Sequence, residues 1–445
     1  MKDLNTLLQG NPVTAKIAGV LRDNPLYSGV AVIGGSAALA QVIGIAALPI
    51  ITRLYGPADL GILAVYSSFL SIAVVTASLR YESAYAIPRQ DETAANLFAL
   101  CLVLLAVTST VFALVVFLVG DLFTGTFSPG LPGQYLWLLV PGFFGAGLYS
   151  ILNYWAIRQR DYPRVASTRV NQSASGAASK ILLGLLSAGP AGLIVGHIVS
   201  QAAGIGTFVR RMWKTERKNL SQVSVDGIRA VAKEYWSFPA FNLPASVVNT
   251  LSLQLPTFML LAIYGSQTVG LYALAQNLLV LPGSIISTAL AQVYLGEASK
   301  LVREGSSEIR SLYVTTIRQL ALVAVPAIGL LALAAPFLIP IIFGGAWAEA
   351  GWYCLPLALM MIPQFVSTPT SRLTIYGYNH WMLIWDLTRV CAVIAGFSIS
   401  QYFGLSVMAT LTVYGATMLV MYLVNIALNL KAIANFTSRI SSQEE

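Results

Sequence analysis

Twelve runs of about 20 apolar residues constrain this chain more than any other feature, because a helix of that length crosses the hydrocarbon core of a bilayer. Their cores lie at residues 30–51, 60–79, 97–120, 135–157, 167–188 and 191–209, then at 238–264, 269–296, 320–343, 352–370, 381–403 and 405–428. Formal charge enters only the fifth run, with Arg169 and Lys180, and the eleventh, with Asp386 and Arg389. Composition agrees: 56% of the 445 residues are hydrophobic, 10% are charged, and mean hydropathy is +0.72. Soluble domains carry about 25% charged residues, so lipid is the solvent for most of this surface. Membrane strands would be about 10 residues long and alternating. The fold class expected is an all-α polytopic membrane protein with twelve transmembrane helices.

The net charge of +8 does not signal nucleic acid, because the basic residues are scattered over short loops between apolar runs. That distribution sets topology. Lys2, Lys16, Arg22, Arg80, Arg89, Arg158, Arg160, Arg164 and the cluster from Arg210 to Lys233 fall on one side, with Lys300, Arg303, Arg310, Arg372, Lys431 and Arg439. The other side holds Asp59, Asp121 and Glu349, with Arg53 its one basic residue. A multi-pass protein with both termini in the cytoplasm is expected. Cys101, Cys354 and Cys391 stand singly, and the two histidines are His197 and His380. No spacing fits a disulfide framework, a zinc site or a cofactor fingerprint. The expectation is no metal, no cofactor, no catalytic residue and no enzyme activity. The first apolar run lacks a cleavage site, so no signal peptide is expected.

An internal echo divides the chain. Tyr55-Gly56 and Gly61-Ile62-x-Ala64 return as Tyr264-Gly265 and Gly270-Leu271-x-Ala273, all displaced by 209 residues. Thr168-Arg169-Val170 and Thr388-Arg389-Val390 form a weaker echo. Two six-helix lobes with parallel, pseudo-two-fold symmetry follow, with the functional site between them. The expected segments are a surface-lying N-terminal stretch (1–28), an N-lobe (29–209), a basic linker (210–237), a C-lobe (238–430) and a frayed tail (431–445). In the linker, Ile228, Val231, Tyr235 and Trp236 recur at helical spacing, which admits either a surface helix facing anionic lipid or a plain connection.

The stretch from Phe238 to Ser299, with its pattern FP…P…N…LP…YG…VG-aromatic-x-LA…LP…QV, resembles the seventh and eighth helices of bacterial polysaccharide flippases. YGPADLG (55–61), LRYE (79–82) and AIP (86–88) are similar to that family's N-terminal part. The family belongs to the multidrug/oligosaccharidyl-lipid/polysaccharide exporter superfamily. Resemblance implies two lobes in a V around a central cavity. It implies alternating access that carries an undecaprenyl-pyrophosphate-linked oligosaccharide from the inner to the outer leaflet of the bacterial inner membrane. The implied setting is O-antigen, capsule or exopolysaccharide synthesis, with membrane lipids, a polysaccharide polymerase and a chain-length regulator as partners. The alternative is a cation-coupled multidrug exporter of the same superfamily.

Charges inside the membrane are the site candidates, since each costs about 2.5–3.5 kcal/mol on insertion scales. Lys180 lies past the middle of its run, and Arg169, eleven residues earlier, falls on nearly the same face. Arg389 is their counterpart in the second half. Arg53, Arg80 and Arg372 complete the cationic set expected to face a pyrophosphate, which bidentate guanidinium contact suits. Glu82 and Asp386 are the coupling-ion candidates. Bland readings compete at each: Lys180 snorkelling, a self-neutralised Asp386–Arg389 pair, headgroup contact at Arg80, an interface anchor at Arg372. Asn153, Asn171, Gln172, Asn242, Asn249, Gln254 and Gln276 suit sugar hydroxyls or interhelical bonds. Pro49 and Pro256 mark bending points or static packing, and Tyr55, Trp137, Trp347 and Trp381 read as interfacial anchors.

Overall fold

The structure, a computed structural model, describes residues 25–126, 132–215, 223–306, 308–371, 373–376 and 378–444. All regular elements among these are helical. The first lobe comprises α1 (Pro25–Leu54), α2 (Pro57–Val74), α3 (Asp91–Thr126), α4 (Leu139–Arg158), α5 (Tyr162–Leu185) and α6 (Gly189–Ala202). The second comprises α7 (243–264), α8 (266–303), α9 (Ile309–Phe343), α10 (Ala348–Thr370), α11 (Asn379–Tyr402) and α12 (Val407–Glu444). An even number of crossings returns the chain to its starting side. The side with both ends of the chain is called the terminus face below, and the opposite side the far face.

Helices are imposed by the solvent, because backbone polar groups in lipid must be satisfied within the segment. Sharp punctuation separates them. Gly56 ends one helix and caps the next: its N–H donates to Asp59 Oδ2 at 2.9 Å, and Pro57 occupies the first helical position, where a missing N–H costs nothing. At the duplicated position Gly265 sits at φ 83° and ψ 179°, the single break between α7 and α8. A side chain would be strained there.

Among the described residues, ten stretches are long and apolar enough to cross a membrane, with Phe238–Val280 counted as one. The helix α5 is not among them; Arg169, Asn171, Gln172, Ser173, Ser175 and Lys180 make it too polar. It is held by α1 and α6 instead. Ser173 Oγ donates to the Ala40 carbonyl of α1 at 2.5 Å, while Gln172 Nε2 donates to the Gln201 carbonyl at 3.2 Å and the Gln172 carbonyl accepts from Ser200 Oγ at 2.9 Å.

Beyond α6 the chain turns at Gly204 and continues as a helix, Ile205–Thr215, that carries Arg210 and Arg211. A second surface helix, Val225–Glu234, begins at Ser224, whose Oγ accepts from the Gly227 N–H at 3.0 Å. Of the two readings left open by the spacing of Ile228, Val231, Tyr235 and Trp236, the structure has the helix, ending at Glu234, and it is docked. Val231 and Tyr235 are buried, and the base of α3 receives the helix. Asn96 Oδ1 accepts from the Ser224 N–H at 3.0 Å, and Tyr81 donates to the Ala232 carbonyl at 2.9 Å. Burial pushes the Tyr81 phenol up, with a smaller push from Cys101, so it stays a neutral donor. Trp236 remains exposed.

Several expectations change. The helix α1 begins at Pro25, inside the stretch expected to lie on the surface; residues 1–24 lie outside the described residues. The expected frayed tail is helical as far as Glu444. Tyr55 and Trp347, read as interfacial anchors, are 3% and 1% exposed. Each has a hydrogen-bond partner far away in sequence, so neither needs the headgroup region.

Candidate functional site between and within the lobes

The lobes meet along a seam formed mainly by α2 against α7 and α8. Its far-face end is built from the echoed residues. A Cβ added to Gly61 would lie 1.7 Å from the Ser266 carbonyl oxygen; one added to Gly270 would lie 1.8 Å from that of Pro57. Pro57 and Ser266 are themselves 209 residues apart, as are Gly61 and Gly270. The contact is therefore reciprocal, as a two-fold axis requires of any interface it passes through. The flanking tyrosines act alike: Tyr55 donates to the Lys180 carbonyl at 2.8 Å, and Tyr264 to the Leu405 carbonyl at 2.7 Å.

Further contacts between the lobes continue along α2, and at the terminus face Tyr81–Ala84 also meets Phe238–Asn242. Trp347 Nε1 donates to the Thr52 carbonyl at 2.9 Å, Ser68 Oγ to Gln254 Oε1 at 2.8 Å, and the Phe69 and Phe258 rings are 4.7 Å apart. From Tyr264 down to Gln254 the seam is about 15 Å deep at 1.5 Å per residue, half the hydrocarbon thickness. Toward the terminus face α7 exposes Val248, Asn249, Leu251 and Leu253.

Inside the first lobe, Lys180 lays its stem against α6, where Gly196 leaves room: a Cβ there would meet Lys180 Cγ at 2.5 Å. His197 is one residue on, with its ring 6.1 Å from Tyr66 in an edge-on pair and its Nε2 3.4 Å from Gln201 Nε2. Arg169 is half-buried lower on α5, next to Thr168, whose Oγ1 lies 3.0 Å from the Tyr149 hydroxyl. His197 is a polar neighbour that sequence reading misses. A lone histidine in an apolar run has no partner in sequence, and Lys180 reaches it only once α5 and α6 pack.

The second lobe holds Arg389, 8% exposed. It pairs with Asp386 at 3.0 Å and lies 4.7 Å from the centroid of the Trp385 ring. It also lines a cavity of about 50 Å³ with Gln276, Gln364, Tyr414 and Tyr422. Gln364 Oε1 is buried there without a hydrogen-bond partner. The weaker echo does not survive as an equivalence: Thr168 is buried while Thr388 is exposed. Arg169 is the eighth residue of α5 and Arg389 the eleventh of α11, nearly one helical turn apart in register.

The other charges stand elsewhere. Arg80 and Glu82 form a 3.4 Å pair at the terminus-face end of α2, and Ser78 Oγ donates to Glu82 Oε2. Leu79 and Arg80 both have left-handed φ, 51° and 67°. Arg53 is exposed at the far-face end of α1. Arg372 lies outside the described residues. The structure thus gathers Lys180 with His197, and Arg389 with Asp386, in separate lobes. It does not bring Arg53, Arg80, Arg169, Lys180 and Arg389 into one cluster. Among the polar candidates, Gln254 sits in the seam, Gln276 lines the second lobe's cavity, and Asn171, Asn242 and Asn249 are exposed. Among the described residues no group of three His, Cys, Asp or Glu could hold a metal ion.

A family model described as polysaccharide biosynthesis protein matches residues 50–351, more than half of the chain. The teichuronic acid biosynthesis protein TuaB of Bacillus subtilis (strain 168) is 27% identical over 195 residues, which span 43% of this chain and 40% of that one. The match thus covers less than half of that relative's length. An inward-facing multidrug resistance MATE family transporter of the MOP superfamily superposes with a TM-score of 0.65, at 16% identity over 89% of this chain and 96% of its own. A MOP superfamily transporter from Pyrococcus furiosus, whose binding pocket is described as of reversed polarity, gives a TM-score of 0.57 at 16% identity, over 94% and 97%. These two likenesses establish the fold, which is that of transporters. The chain belongs to the polysaccharide biosynthesis protein family, and its fold is that of the MOP superfamily transporters on which it superposes.

Proposed function

We propose that the protein moves an undecaprenyl-pyrophosphate-linked oligosaccharide from the inner to the outer leaflet of a bacterial inner membrane by alternating access. Both termini and the basic linker lie on the cytoplasmic side in this reading. The observation that carries it is the reciprocal backbone contact between the lobes at the far face. The lobes touch backbone to backbone at the far face, and α7 presents exposed residues, Asn249 among them, toward the terminus face. A transporter that parts its lobes on one side at a time needs such a separable contact.

The substrate class follows from charge. Bare phosphate in hydrocarbon is prohibitive, and each lobe holds a cation within its membrane-spanning part, Lys180 in one and Arg389 in the other. Such groups substitute for the water a pyrophosphate sheds on entry. The prenyl tail stays in lipid. A cation-coupled multidrug exporter would use an acid free to titrate, whereas Asp386 is paired at 3.0 Å. The direct test is delivery of a lipid-linked oligosaccharide across liposomes that contain the purified protein. Lys180→Ala and Arg389→Ala abolish delivery at unchanged protein level; full delivery in both variants removes the cations from the mechanism.

A further inference from the structure

On the terminus face of the first lobe lies a cavity of about 430 Å³. The end of α4, the turn into α5 and the helix Ile205–Thr215 enclose it, and no residue of the second lobe lines it. Its wall is sorted by chemistry. Trp155, Phe208 and Met212 supply an apolar floor, and Arg160, Arg164 and Arg211 a cationic rim. The one carboxylate in the wall, Asp161, pairs with Arg164 Nε at 3.4 Å, which leaves a net positive rim.

Two donors in this wall lack an acceptor. Arg164 Nη1 is buried without a hydrogen-bond partner, and so is Nε1 of Trp155, a residue 4% exposed. Buried donors are nearly always satisfied, and this wall carries two unmet ones, both shut off from open solvent. Backbone geometry adds a third sign. The helix α4 ends with Asp161 N–H donating to the Ala156 carbonyl at 3.0 Å and with Arg160 at φ 57°. Glycine is the usual occupant of that position. Here an arginine takes it, and that arginine lines the cavity.

A free inorganic anion would use the rim and leave the floor wet. An amphiphile uses both. The cavity sits where α4 and the Ile205–Thr215 helix carry their arginines, the level at which basic pockets between helices meet lipid headgroups. We propose that it binds an anionic phospholipid, with the phosphate on Arg160, Arg164 and Arg211 and an acyl chain over Phe208 and Met212. The lipid ties the Ile205–Thr215 helix, and through it the connection between lobes, to the first lobe. The site is separate from the seam through which a transported molecule would pass.

The test is native mass spectrometry of the full-length protein in detergent, titrated with phosphatidylglycerol, phosphatidylcholine or inorganic phosphate. Arg160 and Arg211 are exposed, so the double variant R160Q/R211Q preserves the fold; its melting temperature without lipid checks this. Wild-type protein retains phosphatidylglycerol in preference to phosphatidylcholine. The double variant loses roughly thirtyfold in phosphatidylglycerol affinity, the product of two arginines at the strength typical of a membrane surface. R303Q/R310Q removes two exposed arginines from the same face of the other lobe and keeps wild-type affinity. Unchanged binding by R160Q/R211Q, or equal retention of phosphatidylcholine, overturns the site. Inorganic phosphate that binds as tightly as the lipid overturns the amphiphile and assigns the rim to a soluble phosphate.

Discussion

Gly61→Ala tests the seam most directly. The new methyl would lie 1.7 Å from the Ser266 carbonyl oxygen and 2.6 Å from its carbon, both backbone atoms. Ordinary contact begins at 3.4 Å, so α2 and α8 must separate locally by about 1.7 Å, the difference. A gap of 0.5–1 Å already forfeits roughly a quarter to a half of the dispersion well, and overpacking of this kind costs about 1–3 kcal/mol. The cost falls on the far-face-closed state alone, so the population shifts toward the parted state by roughly fivefold to a hundredfold and more. Spin labels on Ala58→Cys and Gln267→Cys report it. The two positions are 209 residues apart, both exposed, one beside each half of the contact. After replacement of Cys101, Cys354 and Cys391, double electron–electron resonance shows a longer-distance population in Gly61→Ala and Gly270→Ala. The double variant shifts no further than either single one, because one separation relieves both clashes. Gly329→Ala, with nothing within 4 Å of its added Cβ, leaves the distribution unchanged. Wild-type distances in Gly61→Ala and Gly270→Ala would refute the seam as the closing contact.

Three other perturbations have defined outcomes. Trp347→Phe leaves the Thr52 carbonyl without its 2.9 Å donor; it costs about 1–3 kcal/mol, seen as a lower melting temperature and a weaker far-face contact in the same spin-label pair. Arg389→Ala strands Asp386, so it destabilises more than the double change Arg389→Ala/Asp386→Asn, which removes the uncompensated charge; thermal denaturation in detergent ranks the two. Asn96→Ala frees the Ser224 N–H, and hydrogen exchange across residues 225–234 speeds up by about tenfold while exchange in α3 itself stays slow.

What the sequence reveals here depends on whether a constraint is local. Membrane spans are legible because each must satisfy its own backbone; the fifth run, counted as apolar in the sequence, proves too polar to stand on hydropathy and is held by α1 and α6 instead. The linker helix is legible because Val231 and Tyr235 fall on one face. The long echo is legible for a different reason. Gly61 and Gly270 face each other across the two-fold axis, so each forbids a side chain in the other's half. The Thr-Arg-Val echo carries no such mutual constraint, and its halves diverge in burial. Residues whose partners come from distant helices stay hidden: Tyr55 and Trp347 pass for headgroup anchors until Lys180 and Thr52 supply their acceptors.

Duplication also suits the seam to the proposed alternation between two states. Each reciprocal contact is made twice, Gly61 on Ser266 and Gly270 on Pro57, so opening the far face breaks both together. Glycine-to-carbonyl approaches are dispersion contacts with little directional preference, and they leave no polar group buried and unpaired when they part. Hydrogen bonds across the seam would leave such groups. Two of these stand deeper or to the side, Ser68 to Gln254 and Trp347 to Thr52, and they add to the closing energy of the far face. Ser68→Ala should therefore move the spin-label population in the same direction as Gly61→Ala but by less, since a hydrogen bond contributes about 0.5–1.5 kcal/mol net. An equal or larger shift from Ser68→Ala would place the closing energy in the polar contact and not in the duplicated glycines.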